Sequence, residues 1–525
     1  MQPNNTALVW EKLRRLLKPS RETFLNQVFD FHANQQRTLL DICQLNSHCV
    51  AGKLWRFAEV KTVYDFQAHC PVNTYESLGP SILTNAAECM SPLFSEHVLS
   101  FEVTGGSNSG GRLIPYNGSV LRDFRQALFA WFSDVMEAYD LRDGTIFWPI
   151  SPPAPGKRNE HDGVPVGMGS DASYFGDEVA SLFGQILAVP YDLSVHSMEA
   201  WQKETCKALL KAEDLTLVSV WSPTFFTELL KYIKEHRWAL LGSLQTEISS
   251  EHATRLSDAC SSFEPEWSKI WPNLRLISSW SDGPAATFAV ELQRSFPHVA
   301  FQGKGLLATE AVISIPLAAA RDPVLVPTAC FYECRGEDQK IISAEDVQVG
   351  ASYDLLITTR GGLYRYDIGD RILVTGFFGT APMVRFLGRV GTSDLCGEKL
   401  SEYFVGACLA KLPGYAVLAA RQDPEDIGYE LLADLSWCQE LLEEELIADL
   451  EESLRKNPQY NLARMLGQLK PLTMRKIPDL IGSFQKSQVE LGRRLGDIKP
   501  PVIVQDPSWL KSLQYLPQGG LNESL

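Results

Sequence analysis

No uninterrupted apolar run in this chain approaches the length needed to cross a bilayer, which excludes a helical integral membrane protein. Basic charge is in short supply. Lys and Arg number 48 against 64 Asp and Glu, for a net charge of −16 and a pI near 5.1. A nucleic-acid binder usually carries a basic surface, so the global balance argues against that class, although it does not exclude a local basic pocket for a small nucleotide. Paired cysteines are scarce. Among 11 cysteines the close pair is Cys330 and Cys334, without a second pair or a neighbouring histidine, which argues against zinc. Single thiols in odd number fit a reducing compartment. The segment MQPNNTALVWEKLRRLLK lacks the basic-then-apolar order of a secretory signal and suits a surface helix. The expectation is therefore a cytoplasmic protein, without nucleic-acid or membrane partners and with a monomer favoured. There is no internal repeat and no low-complexity tract.

What is present is a long chain of ordinary globular composition. Its 525 residues exceed one ordinary core, and 45% hydrophobic with 21% charged residues is a soluble profile. Residues 1 to about 100 read as mostly helical, and Gly118 to Tyr139 as a helix with Val120, Phe124, Leu128, Phe132, Val135 and Met136 on one side. Residues 151–176, rich in proline, glycine and charge, read as a long loop. LTLVSVW (215–221), LRLISSW (274–280) and AVISIPLA (311–318) read as buried strands, with a helix over 224–236. Strand–helix alternation predicts an α/β architecture. Short strands from 325 to 378 predict a β-rich, barrel-like subdomain. Beyond about 388 the chain turns α+β, with Leu442, Leu446, Leu450 and Leu454 striping an acidic helix whose carboxylates are a solvated face. The expected division is a large domain over 1–388 and a small C-terminal domain over 389–525.

Five segments carry the chemistry. Thr104-Gly-Gly-Ser-Asn-Ser-Gly-Gly-Arg112 follows a strand, and its glycines let the backbone approach a bulky anion while hydroxyls, N–H groups and a guanidinium bind phosphate oxygens. Thr309-Glu310 follows FQGKGLLA, where a glutamate can hold a magnesium ion bridging phosphates. In Tyr364-Arg-Tyr-Asp-Ile-Gly-Asp370 the final carboxylate can accept from two ribose hydroxyls. Gly388-Arg389 opens a charged, glycine-containing run at a change of fold character, as a hinge does. Lys499 precedes two prolines. Each also reads as ordinary structure: a plain turn, a helix cap, a hairpin, a linker, a surface lysine.

Together, in this order, the segments resemble the adenylate-forming enzymes, and specifically the auxin-responsive acyl acid amido synthetases, the Gretchen Hagen family with its bacterial members. TGGSNSGGR is similar to the family's nucleotide loop, ATE (308–310) to its Ser/Thr-Glu segment, YRYDIGD to its Tyr-Arg…Gly-Asp signature, GRVGTSDLCGEKLSE to the superfamily hinge, and LGDIKPP to the C-terminal lysine segment. The resemblance spans residues 20 to about 505. It departs at Arg112, where most relatives carry lysine, and at Gly105, where serine is common; Arg keeps the charge but is planar and bulkier.

The resemblance implies an enzyme that adenylates a small carboxylic acid with ATP and Mg2+, releases pyrophosphate, and passes the acyl group to an amine or amino acid with AMP as product. A thiol acceptor (CoA or a carrier protein), or a nucleotide-binding homologue without turnover, are the alternatives. By resemblance Thr104, Gly106, Ser107, Asn108 and Arg112 lie near the triphosphate and Thr309 near the α-phosphate. Glu310 binds magnesium, Asp370 holds the ribose, and Arg389 contacts it from the hinge. Lys499 arrives with a mobile C-terminal domain to neutralise the α-phosphate. Lys499, Glu310 and Arg112 are the expected catalytic residues. Trp221, Ser222, Phe225, Trp280 and Ser281, at the ends of predicted strands, are the candidate acid pocket.

Overall fold

The computed structural model describes residues 3–84, 91–104, 112–149, 160–167, 172–190, 198–389 and, with short interruptions, 392–505. The chain forms two compact units, Met1–Val390 and Gly391–Leu525. The first begins with the helix Pro3–Val28, whose Trp10, Leu13, Leu17, Phe24 and Val28 recur at helical spacing and are all buried. They face the helix Gly118–Ala138. Trp10 stacks on Phe132 with ring centroids 5.9 Å apart, and Arg21 Nε meets Asp134 Oδ1 at 2.9 Å. All six apolar residues expected on one side of that second helix are buried, each contributing about 1.5–3 kcal/mol. Asn117 starts it by accepting from the Val120 N–H at 2.9 Å.

A parallel sheet runs in the order Thr145–Phe147, Leu215–Ser219, Leu276–Ser279, Ala300–Gly303. Every residue of Leu215–Ser219 is buried, so the strand reads as a continuous apolar run rather than an alternation. The helix after it extends over Pro223–Leu244, longer than expected. From Ser314 to Arg389 the β-rich part is a seven-stranded antiparallel sheet, ordered Ile341–Ser343, Phe331–Arg335, Ser352–Thr358, Tyr366–Phe378, Ala381–Arg389, Val324–Leu325, Ser314–Ile315. The expected strand over 311–318 shortens to Ser314–Ile315 and joins this sheet, because Pro316 has no N–H to continue a ladder. The described part of the long loop holds a two-stranded hairpin, Glu160–His161 with Val164–Pro165, and the short helix Ala172–Phe175; most of the rest lies outside the described residues.

The second unit has a four-stranded sheet in the order Thr473–Ile477, Gly428–Asp434, Ala416–Arg421, Ile503–Val504. Alternation sends Leu418, Ala420, Leu431 and Ala433 into one apolar cluster and Val417, Ala419 and Leu432 into another. Leu446, Leu450 and Leu454 of the helix Glu443–Leu454 join the first cluster, while Leu442 is exposed at its N-cap. The nine cysteines among the described residues are buried thiols, and burial pushes Cys43 and Cys330 up to about 12. Among the described residues no helix is long and apolar enough to cross a membrane.

Candidate active site

Strands Ser100–Val103 and Leu113–Tyr116 pair from Ser100↔Tyr116 to Val103↔Leu113, forming the base of the glycine-rich loop. Thr104 closes that base: its N–H donates to Arg112 O at 2.9 Å, and the Arg112 N–H donates to Thr104 Oγ1 at 3.1 Å. Gly106, Ser107 and Asn108 lie outside the described residues. The Arg112 guanidinium donates to Glu76 Oε1 at 2.9 Å and sits 5.2 Å over the Tyr75 ring. Hydrogen bonds from the Glu76 backbone and Thr74, then Arg112, hold the Glu76 carboxyl below the usual carboxylate range.

The start of the helix Tyr75–Leu83, which carries Tyr75 and Glu76, ties the loop to the Tyr-Arg…Gly-Asp segment. The Leu113 N–H donates to Tyr75 Oη at 3.0 Å. Two residues earlier, Asn73 Nδ2 donates to Tyr364 O at 2.9 Å, the Asn73 N–H to Arg365 O at 3.0 Å, and the Asp367 N–H to Asn73 O at 2.8 Å. Arg365 is buried with φ 43 and forms a forked ion pair with buried Glu333, Nε to Oε2 and Nη2 to Oε1, both at 2.9 Å. The motif's arginine is therefore a strut inside the sheet.

Beyond it the strand bulges. Asp367 pairs with Leu356 and Arg371 with Asp354, so four steps on one strand oppose two on its neighbour. Gly369, at φ 75, supplies a backbone conformation that a side chain resists. Bulges re-aim a side chain locally. Here the bulge carries Asp370, which is buried and pairs across the sheet with Arg389. Two residues 19 apart in sequence and both expected at the ribose thus share one register position; the Arg389 side chain lies outside the description.

Tyr116, at the end of the loop's second strand, donates its hydroxyl to Thr309 O at 2.7 Å. Glu310 follows and is 5% exposed. Burial, then the Glu310 carboxylate, pushes the Tyr366 hydroxyl up, and Arg112 pulls it the other way, so both charges act on this one phenol. The structure thereby brings together Thr104, Arg112, Thr309 and Glu310 with the start of the Asp370 strand. Among the described residues no cluster of three or more His, Cys, Asp or Glu forms a protein metal cage. A magnesium ion held by one carboxylate, waters and phosphate oxygens fits Glu310.

A second region lies beyond the carboxyl ends of the parallel strands, where open α/β sheets bind ligands. Trp148 follows Thr145–Phe147, Trp221 lies two past Ser219, Trp280 follows Ser279, and Lys304 follows Gly303. Trp221 and Trp280 pack with centroids 6.0 Å apart, and the Trp280 N–H donates to Trp221 O. A cavity here is walled by Leu128, Trp131, Trp148, Trp221, Lys304 and Leu307, among others. Ser222 is buried, with Oγ 2.7 Å from Thr224 Oγ1. Phe225 packs on Phe147 and Trp201 in the apolar layer, and Ser281 is half-buried next to Trp280. Sequence reasoning did not single out Lys304, Trp131 or Trp148; a lysine between two glycines at the end of a strand was the available signal. Lys499 lies in the Gly391–Leu525 unit, exposed between the turn Leu495–Asp497 and the strand Ile503–Val504.

Known structures share this fold. It superposes on a 2-hydroxyisobutyryl-CoA ligase in the postadenylation state with a TM-score of 0.54 and 11% identity, covering 91% of this chain and 90% of that one. The likeness to an acyl acid amido synthetase, AtGH3.15 in complex with 2,4-DB, is greater, with a TM-score of 0.78 and 18% identity over 98% of this chain and 96% of that one. Residues 21–301, 323–389 and 400–508 match the GH3 family N-terminal, central and C-terminal domains. The chain belongs to the GH3 family. It is 24% identical to a probable indole-3-acetic acid-amido synthetase GH3.1 of Oryza sativa subsp. japonica, over 92% of this chain and 89% of that protein. It is also 24% identical to the indole-3-acetic acid-amido synthetase GH3.2 of Arabidopsis thaliana, over 68% of this chain and 73% of that protein.

Proposed function

We propose that this chain is an ATP-dependent acyl acid amido synthetase. A carboxylate is a poor acyl donor because oxide is a poor leaving group. In the first half-reaction a carboxylate oxygen attacks the α-phosphorus of ATP, and the bond to pyrophosphate breaks. In the second an amine, best an amino acid, attacks the acyl carbon, AMP leaves, and the amine loses a proton. The protein's task in both is to position groups and neutralise phosphate charge.

The loop closed by Thr104 and Arg112 receives the triphosphate, and Gly106, Ser107 and Asn108 contribute to binding it. Thr309 stands by the α-phosphate. Glu310 holds magnesium, which neutralises phosphate charge when bound. Asp370, offered by the bulge, accepts from the ribose hydroxyls, and Arg389 flanks it. Lys499 serves adenylation from a mobile C-terminal domain that begins at the Gly388-Arg389 hinge. The acid lies among Trp221, Ser222, Phe225, Trp280 and Ser281.

The observation that carries this reading is that, in a GH3 family chain, hydrogen bonds tie the base of the loop to Thr309 through Tyr116 and to the Asp370 strand through Tyr75 and Asn73. Incubating the full chain with ATP, Mg2+, an acid panel and mixed amino acids, with CoA in a parallel arm, tests it by product mass. An acyl-amino acid amide is expected. A thioester in its place would move the chain to the thiol-transferring class, and nucleotide binding without product would make it a homologue without turnover.

A further inference from the structure

The pairing of Ser352–Thr358 with Tyr366–Phe378 steps from Leu356↔Asp367 to Asp354↔Arg371 and passes over Ile368, Gly369 and Asp370. Those three residues lie outside that ladder, so something else must hold the bulge. Asp367 does so directly. Its Oδ1 accepts from the Gly369 N–H at 3.0 Å, where the chain turns through φ 75. Its Oδ2 accepts from Arg335 Nη2 at 2.5 Å.

Arg335 stands opposite Asp354, and Asp354 opposite Arg371, in one row across three strands. Arg335 Nη2 reaches Asp354 Oδ2 at 3.4 Å, and Arg371 Nε donates to Asp354 Oδ1 at 2.8 Å. An exposed ion pair contributes little, but the Asp354 and Asp367 side chains are 5% and 18% exposed and the four groups share partners as a network. Burial sets this network apart from Asp370. From Tyr366 to Ile372, the residues Tyr366, Ile368, Asp370 and Ile372 are buried, and Asp367, Gly369 and Arg371 are half-buried. Alternation therefore puts the ions on one face of the strand and Asp370 on the other. Arg335 and Asp367 act on Asp370 through the backbone, without touching a ligand that Asp370 holds.

We propose that Asp367, clamped by Arg335, is a positioning residue that fixes the bulge presenting Asp370. It thereby sets how strongly the chain prefers a nucleotide with both ribose hydroxyls over one lacking either. This rests on the ribose role of Asp370 in the amido synthetase reading. A hydroxyl donated to a charged acceptor is worth about 10- to 100-fold in affinity, provided the carboxylate stands within reach and in line. A loosened bulge keeps the Asp370 charge and misplaces its oxygens.

The test titrates the full-length wild type, Asp367→Ala, Asp367→Asn and Asp370→Ala by calorimetry with ATP, 2′-deoxy-ATP and 3′-deoxy-ATP. Each nucleotide carries Mg2+, no acid is present, and thermal unfolding checks that every variant is folded. Wild type should prefer ATP over each deoxynucleotide by about tenfold or more, and Asp370→Ala should bind all three alike. Asp367→Ala should lose at least about fivefold of that preference, through weaker binding of ATP. Asp367→Asn keeps an oxygen for the Gly369 N–H but not the charge facing Arg335, and should fall between Asp367→Ala and wild type. A merely structural role would weaken all three nucleotides equally, and that result overturns the proposal. So does an Asp367→Ala protein that keeps the wild-type preference or, if that variant does not fold, an Asp367→Asn protein that keeps it. Loss of the preference in Asp370→Ala but not in Asp367→Ala would sink the proposal and leave the ribose reading standing. A preference that survives Asp370→Ala, or a wild type without one, would sink the ribose reading and the proposal with it.

Discussion

Glu333→Gln removes one charge from the pair that braces the Tyr-Arg…Gly-Asp segment. Glu333 is 1% and Arg365 7% exposed, two charged hydrogen bonds of 2.9 Å join them, and Gln67 Nε2 adds a third to Glu333 at 2.8 Å. Breaking a buried pair from one side strands the other charge, at a cost of about 3–5 kcal/mol. The glutamine amide recovers part of the hydrogen bonding, so the loss should lie near 3 kcal/mol. Urea unfolding followed by tryptophan fluorescence reads this unit, because every tryptophan except Trp437 and Trp509 falls within Met1–Val390. The companion variant Glu333→Leu/Arg365→Met removes both charges and should recover most of the stability, since apolar replacements of a buried pair are often neutral. ATP affinity should fall in Glu333→Gln, because the strut sets the bulge that carries Asp370. A loss under about 1 kcal/mol with unchanged ATP binding would refute the assignment of Arg365 as a structural brace.

Asp370→Ala should weaken ATP binding about 10- to 100-fold, the worth of hydrogen bonds to a charged acceptor, with thermal stability nearly unchanged; unchanged affinity by calorimetry would remove the ribose role. Lys499→Ala should slow adenylate formation about 100- to 1000-fold while sparing ATP binding; a normal adenylation rate would take Lys499 out of the site. Lys304→Met should change how stability depends on pH. The folded lysine titrates near 7, below its ordinary 10.5, so between these values the unfolded chain binds more protons and wild-type stability rises with pH, by up to about 5 kcal/mol across the window. The variant should lack that slope and gain most over wild type at pH 7 and below. Parallel wild-type and variant profiles in urea titrations from pH 6 to 9 would contradict a buried, uncompensated ammonium.

Much of the architecture was legible because it repeats locally. The stripe from Val120 to Met136 and the leucines from 446 to 454 are single-helix patterns, and the run over 215–219 is a strand buried on both faces. The order of the five motif segments carried the family. What stayed hidden depends on contacts between distant residues. Thr145–Phe147 is three residues long and has no period to detect. Nothing in YRYDIGD announces that Arg365 pairs with Glu333, or that Gly369 makes a bulge rather than a hairpin turn. The Lys304 cage draws on tryptophans at 131, 148 and 221, which converge through the sheet and the helix Gly118–Ala138. A lone lysine between glycines offers no pattern until those rings are placed around it.

Acid-dependent exchange of labelled pyrophosphate into ATP, with Mg2+ and a panel of aryl, indolyl and fatty acids, tests adenylate formation most directly. The account predicts exchange that requires an acid and falls about 100- to 1000-fold in Lys499→Ala. Absence of exchange across the panel, in protein that binds ATP, would contradict it.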